Sequence, residues 1–271
     1  MNKFIEIYYP SPDITKYILK TILEPIGKYK TKLSSSSKSV IILTKNSVFK
    51  LMKPVSITKE LTEKSKVKEL IKYNKEALPL LFKNNESFII TIKSILINPN
   101  INIIEYEKLY PIKKKYKLRK LLLMLYQISY AIKNIHRKGY YHDDVYLSNI
   151  GLRRGDQCEF ILYDFELSNT FTKGDESCEM YRDVKIFLDD MISAYKDDIL
   201  YKTFIENILN IIKANSIKET GETKTILKRV HKVCKNIYKY NDFNKLILNL
   251  IKYYTNNSKN IKDMVKYTST L

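Results

Sequence analysis

At 271 residues, with 44% hydrophobic side chains, the chain can bury a sizeable core and fits one domain or one two-lobed unit. No window holds the ~18 uninterrupted apolar residues of a membrane span, and MNKFIEIYYPSPD has neither an apolar signal region nor a small-residue cleavage site, so a soluble, cytoplasmic protein is expected. The formal charge of +19 would suit a nucleic-acid binder, but Lys, Asn, Ile and Tyr share AT-rich codons and Gly (6) and Trp (0) are scarce, so biased composition accounts for it and nucleic acid is not an expected partner.

Residues 1–26 predict a short strand or turn and a helix, ITKYILKTIL, before Pro25. From Lys28, alternation and β-branched residues predict three strands, KYKTKL, SVIILT and SVFKLMK. They are joined by a serine turn, Ser34–Ser37, and by Lys45-Asn46. Lys50 lies between apolar neighbours in the third strand, where its ammonium either snorkels to water or meets anions. Residues 56–78 predict a helix, which Pro79 should end or kink.

Two strands follow, SFIITIKSIL and INIIEYE, around the turn Asn98-Pro99-Asn100. From Lys117 to Lys138 apolar residues recur at helical spacing, and Gly139 is placed to cap the helix. Cys158, Cys178 and Cys234 are odd in number and scattered, which argues against a disulfide framework or a zinc cluster and for a reducing compartment.

The stretch HDDVYLSNIGLRRGDQCEFILYDFE, 142–166, concentrates the chemistry. Asp144 and Asn149 stand five residues apart on a turn, and the hairpin IGLRR…CEFILYD returns the chain to Asp164. A carboxylate can orient a hydroxyl proton, while a second carboxylate and an amide oxygen suit a hard cation such as magnesium. A polar turn with surface carboxylates is the plainer reading of the same residues.

Taken together, H-x-D-x-x-x-x-N followed by D-F-x resembles the protein kinase superfamily, specifically a compact eukaryotic-like serine/threonine protein kinase. The resemblance implies an α+β, protein kinase-like bilobal fold, with a β-rich N-terminal lobe over 1–105 and a mainly helical lobe over 106–271. It implies ATP and magnesium as cofactors, Asp144 as catalytic base, and Asn149 and Asp164 as metal ligands. Lys50 would serve catalysis by meeting the nucleotide's α- and β-phosphates, paired with Glu76 or, as the alternative, Glu69.

The same resemblance puts Ser35 and Ser36 over the phosphates, although a merely solvated serine turn fits equally. It makes Glu105 and Glu107 part of a hinge whose backbone meets adenine. His136 and His142 would be structural. Asp183, expected to open the helix DVKIFLDDMISAY, resembles the buried aspartate that holds the catalytic loop. The later lysine-rich segments predict packing helices, with the last residues fraying.

Several departures bear on function. Asp143 stands where many protein kinases carry Arg, so regulation through a phosphorylated activation loop is not expected. Tyr146 replaces a lysine, and Glu166 replaces the Gly of DFG. A protein serine or threonine is the first expectation for the acceptor, with the protein partner unidentified. A pseudokinase scaffold is one alternative, favoured by Tyr146, Glu166 and the serine turn. A kinase-like small-molecule phosphotransferase is another, favoured by the short segment after Asp164. Such enzymes often carry a small residue before the catalytic Asp and a His two residues after it, and neither is found here.

Overall fold

The computed structural model describes residues 16, 20, 24, 30–33, 39–52, 71, 75–82, 88–98, 101–154, 158–172, 176–217, 242–257 and 260–271. The chain divides into two compact units, Met1–Asn85 with Ile90–Leu109, and Glu86–Ile89 with Tyr110–Leu271. Among the described residues no helix is long and apolar enough to cross a membrane.

The first unit holds an antiparallel five-stranded sheet of β1 (Lys30–Leu33), β2 (Ser39–Leu43), β3 (Ser47–Met52), β4 (Ile92–Asn98) and β5 (Ile101–Glu107), ordered β1-β2-β3-β5-β4. Val40, Ile42, Leu51 and Ile104 are fully buried and anchor the register, because a one-residue slip would turn them to the other face. The β2–β3 turn is tied by Thr44, whose hydroxyl oxygen accepts from the Ser47 amide at 2.9 Å. Of the helix expected at 56–78, most lies outside the described residues. Its end is a 3-10 helix over Lys75–Leu81, because Pro79 has no N–H to give to a carbonyl one α-turn back.

The second unit is mostly helical. Helix α1 (Leu118–Arg137) buries Leu121, Leu125, Ile128, Ile132 and Ile135 at the expected spacing. Gly139 ends it at φ +85, a left-handed conformation that glycine adopts without cost. A three-stranded sheet of β6 (Tyr110–Pro111), β8 (Ile150–Arg153) and β9 (Glu159–Leu162) follows the order β6-β8-β9. A two-stranded ladder pairs β7 (Tyr140–Tyr141) with β10 (Asn169–Thr170). Among the described residues it also holds the helices α2 (Glu176–Ala194), α3 (Ile199–Ile217), α4 (Asp242–Asn257) and α5 (Ile261–Thr268).

Several expectations are corrected. Strand β4 begins at Ile92 rather than Ser87, since Phe88 turns at φ 51 and Ile89 bridges Leu162 within the second unit. Helix α2 opens at Glu176, not Asp183, with Glu176 and Glu179 placed favourably against the dipole of its first turn. The C-terminal residues do not fray. Asn260 caps α5 by accepting from the Asp263 amide, and Met264 and Thr268 are buried. Cys158 is free and exposed, whereas Cys178 is disulfide-bonded, against the expectation that the cysteines stay apart.

Candidate active site

In the first unit, β3 carries Lys50 opposite Ile41 and Ile104, so its stem packs among apolar neighbours and only 9% of the residue is exposed. Its Nζ donates to Glu76 Oε1 at 2.6 Å. The Tyr106 hydroxyl donates to Glu76 Oε2 at 3.0 Å, so both oxygens of the glutamate are engaged. Of the two glutamates considered for Lys50, Glu76 makes the contact, and Glu69 lies outside the described residues. Ser35 and Ser36 lie outside them too.

Glu105 and Glu107, expected in a hinge, lie at the end of β5. The β3–β5 ladder runs on through Ser47 opposite Glu107. Glu105 accepts from Ser47 Oγ at 2.6 Å and Ser94 Oγ at 2.7 Å, and Glu107 Oε1 accepts from the Thr91 amide at 2.7 Å. The sequence could not show this, because the donors come from β3, from β4 and from Thr91 just before β4.

In the second unit, α1 and Gly139 deliver the chain to the loop His142–Asn149. The Asn149 amide Nδ2 donates to the Asp144 carbonyl at 2.9 Å and to Asp144 Oδ2 at 2.6 Å. With the amide nitrogen committed to two acceptors, the carboxamide oxygen is the atom left to serve as a ligand. The β8–β9 hairpin then returns Tyr163 beside the loop, where its amide donates to the Asn149 carbonyl at 2.9 Å. Asp164 follows at φ 64, an uncommon left-handed position for a residue with a side chain. Phe165 is fully buried, its ring 4.6 Å from that of His142.

His142 reports how these charges converge. Burial pushes its pKa below the usual histidine range, and the carboxylates of Asp183, Asp144 and Asp164 pull the other way. Its Nδ1 accepts from the Asp144 amide at 3.3 Å and its Nε2 lies 3.2 Å from the Tyr163 carbonyl. The neutral tautomer protonated on Nε2 satisfies both contacts, so His142 is a structural strut, as is His136.

Helix α2 fixes the loop from behind. Asp183 is fully buried and accepts from the His142 amide at 2.9 Å and the Asp143 amide at 2.7 Å. Its Oδ2 also sits 2.8 Å from His136 Nε2. Two turns on, Asp190 Oδ2 accepts from the Leu147 amide at 2.7 Å, at the start of the 3-10 turn Leu147–Asn149. Asp190 was missed by the sequence reading. Its signal was there, since a seven-residue spacing from Asp183 puts both on one helix face.

Asp164 and Asn149 offer hard oxygen donors, the chemistry a magnesium ion takes. Glu166 adds another, with a carboxylate oxygen within 4.8 Å of one on Asp164. Tyr146, two residues past Asp144, is 43% exposed.

Residues 46–179 match the model of the lipopolysaccharide kinase (Kdo/WaaP) family. The fold is kinase-like. The matched interval contains Lys50, Glu76, Asp144, Asn149 and Asp164. Two solved structures are similar at low identity. One, of monomeric WbdD, is 12% identical with a TM-score of 0.44, covering 78% of this chain and 49% of that one. Another WbdD crystal structure is 10% identical with a TM-score of 0.46, covering 91% of this chain and 51% of the other. The chain thus spans about half the length of the solved chains it matches. No curated protein matches it.

Proposed function

We propose that this kinase-like chain is an ATP- and magnesium-dependent phosphotransferase whose acceptor is the hydroxyl of a small molecule, a sugar or sugar-bearing lipid, rather than a protein side chain. The observation that carries the reading is that the lipopolysaccharide kinase model covers 46–179 and so takes in every charged residue assigned to the chemistry. The short stretch between Asp164 and the start of α2 supports it, because a peptide acceptor needs a platform there and little chain is available to build one. The first expectation, a serine or threonine acceptor, uses the same chemistry, but no observation among the described residues favours it.

Asp144 is assigned to the acceptor. Asn149 Nδ2 holds its Oδ2, leaving Oδ1 to take the hydroxyl hydrogen bond and orient the oxygen toward the γ-phosphorus. As the acceptor oxygen bonds to phosphorus and the β–γ bridging bond breaks, ADP leaves and the hydroxyl proton passes to Asp144. The Asn149 carboxamide oxygen and the Asp164 carboxylate are assigned to magnesium, which when bound neutralises phosphate charge. Lys50, held by Glu76, is assigned to the nucleotide phosphates.

The test is transfer of labelled phosphate from ATP to a panel of sugars and glycolipids beside casein and myelin basic protein. Magnesium-dependent labelling of a sugar-class acceptor is expected, with Asp144→Ala lowering kcat by about 10²–10⁴. Labelling of protein alone would return the acceptor to a serine or threonine. No labelling with any acceptor, with nucleotide still bound, would make the chain a pseudokinase.

A further inference from the structure

Asp143 departs from the protein kinase pattern, and the structure shows what it does. It sits at φ 65, in the left-handed region that a residue with a Cβ seldom occupies. Its amide donates to Asp183 Oδ1 at 2.7 Å, and its carboxylate pairs with the Arg182 guanidinium. Two consecutive residues of α2, Arg182 and Asp183, therefore grip the backbone and the side chain of the residue next to Asp144.

We propose that Arg182 and Asp143 form a charge lock that positions the catalytic loop, so that Asp144 is held in place with no phosphate on the segment following Asp164. The inference rests on the phosphotransferase reading for its catalytic consequence, not for the lock itself. Asp143 and Arg182 are positioning residues, and neither contacts a reacting atom.

The argument starts from charge crowding. Asp143, Asp144 and Asp183 bring three carboxylates to one loop and the helix behind it. Burial raises the Asp143 pKa, Arg182 opposes that rise, and Asp183 and Asp144 add to it. Without Arg182 the Asp143 carboxylate would be pushed away from its neighbours or would take up a proton. An exposed ion pair between free side chains is worth little. Here the Arg182 side chain is 55% exposed, but the Asp143 side chain is only 18% exposed and Arg182 is rooted beside the fully buried Asp183. The pair therefore acts on where the loop sits more than on global stability.

The following segment is already fastened without added charge. Ser168 Oγ donates to the His142 carbonyl at 3.3 Å, and β10 pairs with β7. Phe171 stacks on Tyr141 with centroids 6.0 Å apart, and Thr172 donates from both its amide and its hydroxyl to Glu179 at 2.9 Å. A phosphate on Thr172 would meet the Glu179 carboxylate, so it would loosen this segment rather than order it.

The experiment compares wild type with Asp143→Asn, Arg182→Met, Arg182→Lys and the double variant Asp143→Asn/Arg182→Met. Asn accepts left-handed backbone as readily as Asp, so Asp143→Asn removes the charge and keeps the conformational preference. Both single changes should lower kcat about tenfold with KM for ATP within about twofold, a smaller loss than the ~10²-fold that a 1 Å misplacement of a catalytic group can cost. The double variant should be no worse than either single one, and Arg182→Lys should recover most of the rate.

Amide exchange by mass spectrometry provides a readout independent of turnover. Peptides over 140–149 should exchange about tenfold faster in Arg182→Met and Asp143→Asn, while peptides from α1 are unchanged. Additive losses, or unchanged loop exchange in both single variants, would overturn the lock. If wild type transfers no phosphate, the phosphotransferase reading fails, and the exchange arm alone still decides the lock.

Discussion

Lys50 and Glu76 meet at 2.6 Å with side chains 11% and 6% exposed, so each charge has given up most of its water and depends on the other. Removing one partner leaves the other's charge in the sheet's interior without its ion-pair counterpart. Glu76→Ala should cost about 3–5 kcal/mol in urea unfolding, whereas the paired change Lys50→Met/Glu76→Leu should cost far less. The paired change should still abolish phosphate transfer, which separates the pair's structural role from its assigned chemical one. Tyr195 makes a comparable case without charge. Its hydroxyl donates to the Tyr116 carbonyl at 2.8 Å and accepts from the Tyr116 amide at 2.5 Å. Burial pushes its pKa up to about 12. A group whose pKa is higher in the folded state stabilises fully below its unfolded value, here 10.0, and loses that contribution as pH rises through the folded value. Tyr195→Phe should therefore cost about 1–3 kcal/mol at neutral pH. It should also show a flatter decline than wild type in unfolding free energy between pH 10 and 12.

At the scale of elements, α2 is the scaffold of the loop His142–Asn149. Three of its residues, Arg182, Asp183 and Asp190, take hold of Asp143, His142 and Leu147. Asp190→Ala leaves the Leu147 amide without its acceptor at the head of the turn that presents Asn149. A loss of about 1 kcal/mol is expected by chemical denaturation, together with a fall in kcat, since the turn orients the amide that holds Asp144. Helix α5 offers a control remote from the chemistry. Asn260→Ala removes its cap and should cost about 1 kcal/mol, with kcat unchanged.

For the molecule as a whole, the charge of +19 produces a positive field that attracts any polyanion. Binding to duplex DNA is expected to be detectable at low salt and to fall steeply toward about 0.2 M salt. Tight binding that persists there would make nucleic acid a partner in its own right. The proposed metal donors give a second molecular test. Manganese, read by electron paramagnetic resonance in the presence of nucleotide, should bind wild type and fail to bind Asp164→Ala.

The sequence by itself determined whatever repeats at short range. The alternation of β2 and β3, the apolar stripe of α1, the left-handed Gly139 and the five-residue spacing of Asp144 and Asn149 all depend on residues within a turn or two of each other. Those signals also suggested a kinase-like fold, because the turn from Asp144 to Asn149 and the hairpin to Asp164 are local too. Only the tertiary structure decided that Glu76 reaches Lys50 from a 3-10 turn, that Ser47 and Ser94 engage Glu105, and that Arg182 neutralises Asp143. Apart from Ser94 with Glu105, which share a hairpin, these pairs join elements distant along the chain. Such a pairing is selected by the register of the sheet and the rotation of a helix, both set by apolar burial over the whole unit, and the charged residue itself carries no mark of its partner.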